Sequence, residues 1–142
     1  MSKSDAWENA LLLALFNAVA LANVLDNAAS SPITSLYVSL HTSDPGEAGT
    51  QATAETTYTG YARVAVARTS GGWTVAANSV SPAANIDFPQ CTAGTATITH
   101  FGVGKSVSGA GVLFYSGTVS PNISVSNGVT PRLGTGTAIT ED

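Results

Sequence analysis

Charge is the first thing this sequence is short of. Only 10% of the 142 residues are Asp, Glu, Lys or Arg, where about 25% is usual for a globular domain. Five Lys+Arg stand against nine Asp+Glu, a net charge of −4, and the pI is ≈ 4.9. No basic field exists to neutralise a row of phosphates, which argues against nucleic acid as the main partner. A single cysteine, Cys91, excludes an intrachain disulfide framework and a multi-cysteine zinc site. Long uninterrupted apolar runs of spanning length are also missing. The one candidate, Ala10 to Ala22, is broken by Asn17 and has no flanking Lys/Arg cluster, so a membrane span is disfavoured. A secretory signal is disfavoured because Lys3 is opposed by Asp5 and Glu8, leaving no positive leading region.

What is present is neutral polarity and apolar pattern. Hydrophobic residues make up 44%, and 14 glycines accompany abundant Ser, Thr and Asn. The chain is long enough for one domain that buries its own core. From Asp5 to Asn27 there is no Gly or Pro and much Ala and Leu, so the sequence predicts one helix over 5–27. Asp5 with Glu8 three positions on reads as a capping box. The helix is apolar almost all round, with Trp7, Leu11, Leu12, Leu15, Phe16, Val19 and Leu25, and must be covered on more than one side. It covers the open side of the body that follows, or packs partly on a neighbouring subunit.

After Ser30-Ser31-Pro32 the period changes from helical to alternating. Leu36, Val38 and Leu40 predict a strand with one buried face, opposite Tyr37, Ser39 and His41. Further strands are predicted over Tyr61 to Thr69, with Val64 and Val66 opposite Arg63, and over Trp73 to Val75. Others follow at Asn85 to Phe88, Thr95 to Val103, Val112 to Tyr115, Ile123 to Ser126 and Ala138 to Thr140. Gly71-Gly72 and Asn127-Gly128 read as hairpin turns, and Pro131 marks an edge or a short broken strand. The expected fold class is mainly β: an antiparallel β-sandwich or jelly-roll-like body over 33–142, preceded by one N-terminal α-helix in a single domain. A long loop at 42–60 lacks any core pattern and is either mobile or held by a partner. Within it, Asp44-Pro45-Gly46-Glu47 predicts a type II turn.

The residue types of catalysis are sparse. His41 lies at a strand end, and His100 lies in a strand where a structural role fits best. Cys91 and His100 would make a nucleophile–base dyad only if folding brought them together, and nothing in the sequence orients them. Asp44, Glu47 and Glu55 do not follow a calcium-loop spacing. The expectation is therefore no catalytic residue, no metal and no cofactor.

The strings LYVSLHTSDPGEAGTQ (36–51), YTGYARVAVAR (58–68), VSPAANIDFP (80–89), ITHFGVG (98–104) and LFYSGTVSPNISVSNG (113–128), in that order, resemble a family of small tailed-bacteriophage virion proteins. Its members are labelled head decoration, minor tail or tail-fibre proteins. The resemblance implies a structural component of a virus particle with no catalytic residues to carry over. The long repeats or heptads of a fibre shaft are missing.

Together these readings favour a decoration or cement protein on the capsid, bridging shell subunits so that binding opposes their separation. A minor tail or tail-tip protein is the alternative, and a carbohydrate-binding module using Tyr58, Tyr61 and Trp73 as stacking platforms is a third reading. The expected partners are the major capsid protein and copies of itself in a homo-oligomer, or else other tail proteins. Neither nucleic acid nor membrane is among them. Candidate contact residues are Trp7, Leu11, Leu15, Phe16 and Val19 on the helix, and Asp44, Pro45 and Glu47 in the loop.

Overall fold

A computed structural model describes residues 4–20 and 33–141 of the chain. One helix, α1 (Asp5–Phe16), precedes nine strands: β1 (Ser35–His41), β2 (Val64–Ala67), β3 (Trp73–Ala76), β4 (Ser79–Pro82), β5 (Ile86–Asp87), β6 (Ala96–Gly104), β7 (Leu113–Val125), β8 (Arg132–Leu133) and β9 (Ile139–Thr140). The protein is mainly β, as its alternating pattern predicts. The strands form sheets of order β2-β1-β6-β7, β3-β4-β9 and β5-β8, with β1–β6, β6–β7, β3–β4, β4–β9 and β5–β8 all antiparallel. The four-stranded sheet ends on β2 at one side and β7 at the other, so it does not close into a barrel.

The contacts gather into two compact units, one of Met1–Ser35, Val66–Asn85 and Gly134–Asp142, the other of Leu36–Ala65 and Ile86–Leu133. In the first, α1 lies against β3 and β4. Leu12 and Phe16 are completely buried, and the Phe16 ring meets Trp73 edge to face at 4.7 Å. Burying two such side chains against a Trp is worth roughly 4–6 kcal/mol of transfer free energy. The helix is shorter than its composition predicts. Asn17 caps it, Ala18 takes the left-handed conformation at φ 54, and Val19 N–H turns back to Leu13 O at 3.1 Å. The rest of the expected helix, 21–27, lies outside the described residues. At the other end the N-cap is Ser4, which makes no side-chain cap bond, in place of the expected Asp5 box.

The second unit is built on β1 and β6, paired from Tyr37↔Gly104 to His41↔His100. Leu36, Val38 and Leu40 are buried as the alternation predicts, but Ser39 and His41 on the opposite face are buried too. Both faces of this strand are covered because the loop after it folds back over the second one. Three turn and strand expectations also change. Gly71 and Gly72 join strands of different sheets, and the hairpin in this region is β3–β4, with Ala76 opposite Ser79. Asn127-Gly128 makes a turn, with Gly128 at φ 89, but β8 pairs with β5 and no hairpin forms there. The two segments expected at Val112 to Tyr115 and Ile123 to Ser126 are one strand, β7, interrupted where the register jumps between the pairs Ile98↔Ile123 and His100↔Thr118.

Candidate partner interface

The loop at 42–60 is fastened to its own unit. Gly46 takes the left-handed conformation at φ 70 and its N–H donates to Asp44 Oδ1 at 2.9 Å, but the hydrogen-bonded turn lies two residues later than predicted, closed by Gly49 N–H to Gly46 O at 3.0 Å. Past the turn, Gln51 is completely buried. Its side-chain amide donates to Tyr37 O at 3.3 Å and its Oε1 accepts from Ser106 N–H at 2.9 Å. Two glycines make room for it: a Cβ at Gly104 would sit 2.2 Å from Gln51 Cδ, and one at Gly111 would sit 2.6 Å from its Oε1. The loop's end then runs beside β1, Thr42 N–H donating to Ala54 O and Thr56 N–H to Leu40 O, both at 2.9 Å.

An ion pair locks this arrangement. Arg63, expected in a strand opposite Val64 and Val66, lies just ahead of β2 and is only 8% exposed. Its Nε and Nη2 donate to Glu55 Oε1 and Oε2 at 2.7 Å each, while Nη1 and Nη2 reach Ser106 O at 2.9 Å and Gly109 O at 2.7 Å. Tyr61 OH also donates to Glu55 Oε1, at 2.7 Å. The Glu55 hydrogen bonds raise the Arg63 pKa, and burial raises that of Tyr61. Two-toothed pairing with every charge hydrogen-bonded is what makes a buried pair tolerable, and losing either partner would leave an uncompensated charge at a cost of about 3–5 kcal/mol. Glu55 is thereby committed to Arg63 and Tyr61, apart from Asp44 and Glu47, which remain exposed at the turn.

Among the described residues, the candidate nucleophile and base side chains are not held together in an open site. Ser39 Oγ and His41 Nε2 are 2.8 Å apart, yet both residues are fully enclosed. The Cys91 thiol donates to Ala93 O at 3.3 Å, and His100 Nδ1 lies 2.8 Å from Thr99 Oγ1; no hydrogen bond joins Cys91 to His100. Tyr58 donates its hydroxyl to Pro89 O at 2.9 Å, and burial pushes its pKa up to about 12. Tyr58 is 5% and Trp73 2% exposed, so they cannot serve as the exposed stacking platforms a carbohydrate module needs. A hollow of about 530 Å³ is lined by residues that include Glu55, Thr56, Tyr58, Tyr61 and Arg63, of which Glu55, Tyr61 and Arg63 bond one another and Tyr58 bonds Pro89 O.

The candidate contact residues divide between the units. On α1, Phe16 belongs to the core of its own unit and is withdrawn as a contact, Leu11 and Leu15 are half-buried, and Trp7 and Val19 are exposed. In the loop, Asp44 and Glu47 are exposed and Pro45 is buried. Asp44 and Glu47 line a groove of about 380 Å³ together with Leu113, Phe114, Tyr115 and Ser116 of β7. That strand was not among the expected contacts, since its two halves read as separate short strands. Its freedom from charge over Leu113–Val125 is the sequence signal that would have marked it.

No curated protein matches the chain significantly. A family model described as Podophage GP4 fiber I protein gp80 matches residues 2–140, and the chain belongs to this family of phage virion structural proteins.

Proposed function

We propose that this virion protein is a non-catalytic component of the tail or fibre apparatus, acting by holding its neighbours in place. The observation that carries the reading is the fibre description of a family that spans nearly the whole chain. Head decoration, favoured from sequence alone, has no comparable support. The absence of shaft repeats counted there against a fibre label, but a mainly β chain of short antiparallel sheets is compatible with a fibre component that is not itself the shaft. The interlocked loop fits a part that must keep its shape under load, and the exposed groups available for contact are mostly uncharged. Its partners on this reading are copies of itself and other tail proteins.

Intact particles provide the test. Gold-conjugated antibody against the chain, viewed by electron microscopy, should decorate the tail or its fibres, with a copy number matching other tail proteins. Labelling spread over the head, with a copy number approaching that of the shell subunit, would replace this reading with capsid decoration.

A further inference from the structure

Asn127-Gly128 is the one place in the sequence where glycine follows asparagine, and the hairpin it advertises does not form. Both residues are exposed. They are the central pair of a turn closed by Val129 N–H to Ser126 O at 3.0 Å, with Gly128 at φ 89, the type II arrangement. The turn is tied down on its other side. Gly128 N–H donates to Cys91 O at 2.8 Å, Cys91 N–H to Val129 O at 2.8 Å and Phe88 N–H to Pro131 O at 2.9 Å, so the β5–β8 pairing of Asp87 with Arg132 runs on as far as the turn. Gln90 Nε2 adds a bond to Gly128 O at 2.9 Å.

We propose that Asn127 is a self-modification site, converted to aspartate or isoaspartate by attack of the Gly128 backbone nitrogen, and that the hydrogen bond from Gly128 to Cys91 is its gate. The nitrogen attacks Asn127 Cγ, and the new N–Cγ bond closes a five-membered succinimide. The Cγ–Nδ2 bond breaks, and the proton lost by Gly128 passes through solvent to the departing nitrogen, which leaves as ammonia. One water then opens the ring at either carbonyl. Glycine puts no side chain in the path of the attack. While the gate holds, the attacking nitrogen keeps its proton in the bond to Cys91 O. The type II turn meanwhile sets the Asn127 ψ at about +120°, which carries the Gly128 nitrogen away from Asn127 Cγ. A near-attack geometry therefore requires the turn and its tie to Cys91 to open first, and the rate follows the fraction of chains open there. Isoaspartate adds a methylene to the main chain, so the bonds to Ser126 and Cys91 no longer meet in register. Each opening that reacts is thus recorded permanently. The chemistry belongs to the chain alone, so it and the tail reading fail separately.

Peptide mapping by mass spectrometry of the purified full chain, held warm in mildly alkaline buffer, reads the conversion of amide to acid at Asn127. An isoaspartyl methyltransferase assay identifies the isoaspartate product. In guanidinium chloride, where the pairing is gone, conversion should run at least about tenfold faster than in the folded chain. Asn85 and Asn122, exposed but each followed by isoleucine, should stay intact over the same time. Gln90→Ala, at an exposed position, removes the bond to Gly128 O and should speed conversion severalfold while leaving the far-UV spectrum unchanged. Hydrogen exchange on the unmodified chain gives a readout independent of that variant's folding: the Gly128 amide should be protected. Equal rates in the folded and unfolded chain, an Asn127 that stays intact in denaturant, a Gln90→Ala chain converting no faster, or an unprotected Gly128 amide would overturn the proposal.

Discussion

His41 is enclosed between a carbonyl and a hydroxyl, 2.8 Å from Thr53 O through Nδ1 and 2.8 Å from Ser39 Oγ through Nε2. The carbonyl can only accept, so Nδ1 carries the proton and Nε2 accepts from Ser39. A second proton would remove that acceptor and place a cation in the core. Burial accordingly holds His41 below its ordinary 6.5, against the opposing pulls of the Thr53 carbonyl and the Glu55 charge. The sign of the pH effect follows. With the folded pKa depressed, the unfolded chain takes up the proton first, so this contribution is complete above pH 6.5 and is lost as pH falls through the folded value. The thermal midpoint should therefore decline between about pH 7 and about pH 5, before most carboxylates titrate. His41→Gln should be less stable at neutral pH yet show a shallower decline over that interval. Identical slopes for the two proteins, measured by calorimetry, would remove His41 as the source.

At the level of elements, α1 has no side-chain N-cap and no basic residue in its last turn; its C-terminal end is completed by a residue distant in sequence. Arg68 Nε donates to Leu15 O at 2.6 Å, Nη2 to Ala14 O at 2.8 Å and Nη1 to Ile33 O at 2.6 Å. One guanidinium thus satisfies two orphan helix carbonyls and brings positive charge to the negative end of the helix dipole. Arg68→Ala should cost about 2 kcal/mol, read as a lower denaturant midpoint and faster exchange of the last amides of α1. Arg68→Lys, which keeps the charge but not the fork, should recover only part of this. The same geometry shows what the sequence could reveal and what it could not. The existence of α1, β1 and β6 is legible in local composition and alternation. The stop at Phe16 is not, because it depends on a left-handed Ala18, which alanine does not advertise, and on Arg68. The β3–β4 hairpin escaped notice for a similar reason, its turn containing Ala77 at φ 54 where Gly or Asn would have been read. In the candidate interface, the left-handed Gly46 was legible because its conformational demand is local, whereas the position of the hydrogen-bonded turn, Gly46 to Gly49, was not. The seating of Gln51, Glu55 and His41 was not, because their partners come from β1, Arg63 and the 105–111 loop.

Across the whole molecule, sparse charge sets the kind of adhesion available. With 10% charged residues and a net charge of −4, and with Glu55, Arg63, Asp87 and Arg132 paired within the chain, the protein is sparsely supplied with ions for bridges to a neighbour. The exposed large apolar side chains among the described residues are Trp7, Val19, Ile33, Val107 and Val112; together with the uncharged edge strand β7 they would attach to a neighbour mainly through apolar burial. Attachment of that kind responds little to ionic strength. In about 1 M salt the screening length shrinks to ~3 Å, enough to loosen a joint built from surface ion pairs. Particles washed under those conditions should retain the protein, whereas urea, which solvates apolar surface and peptide groups, should strip it at concentrations that leave its own fold intact. Quantifying the chain in pelleted particles and in the wash distinguishes the two cases. Release by salt alone would mean that the few remaining charges, with Asp44 and Glu47 foremost, form the joint and that the uncharged strand edge does not.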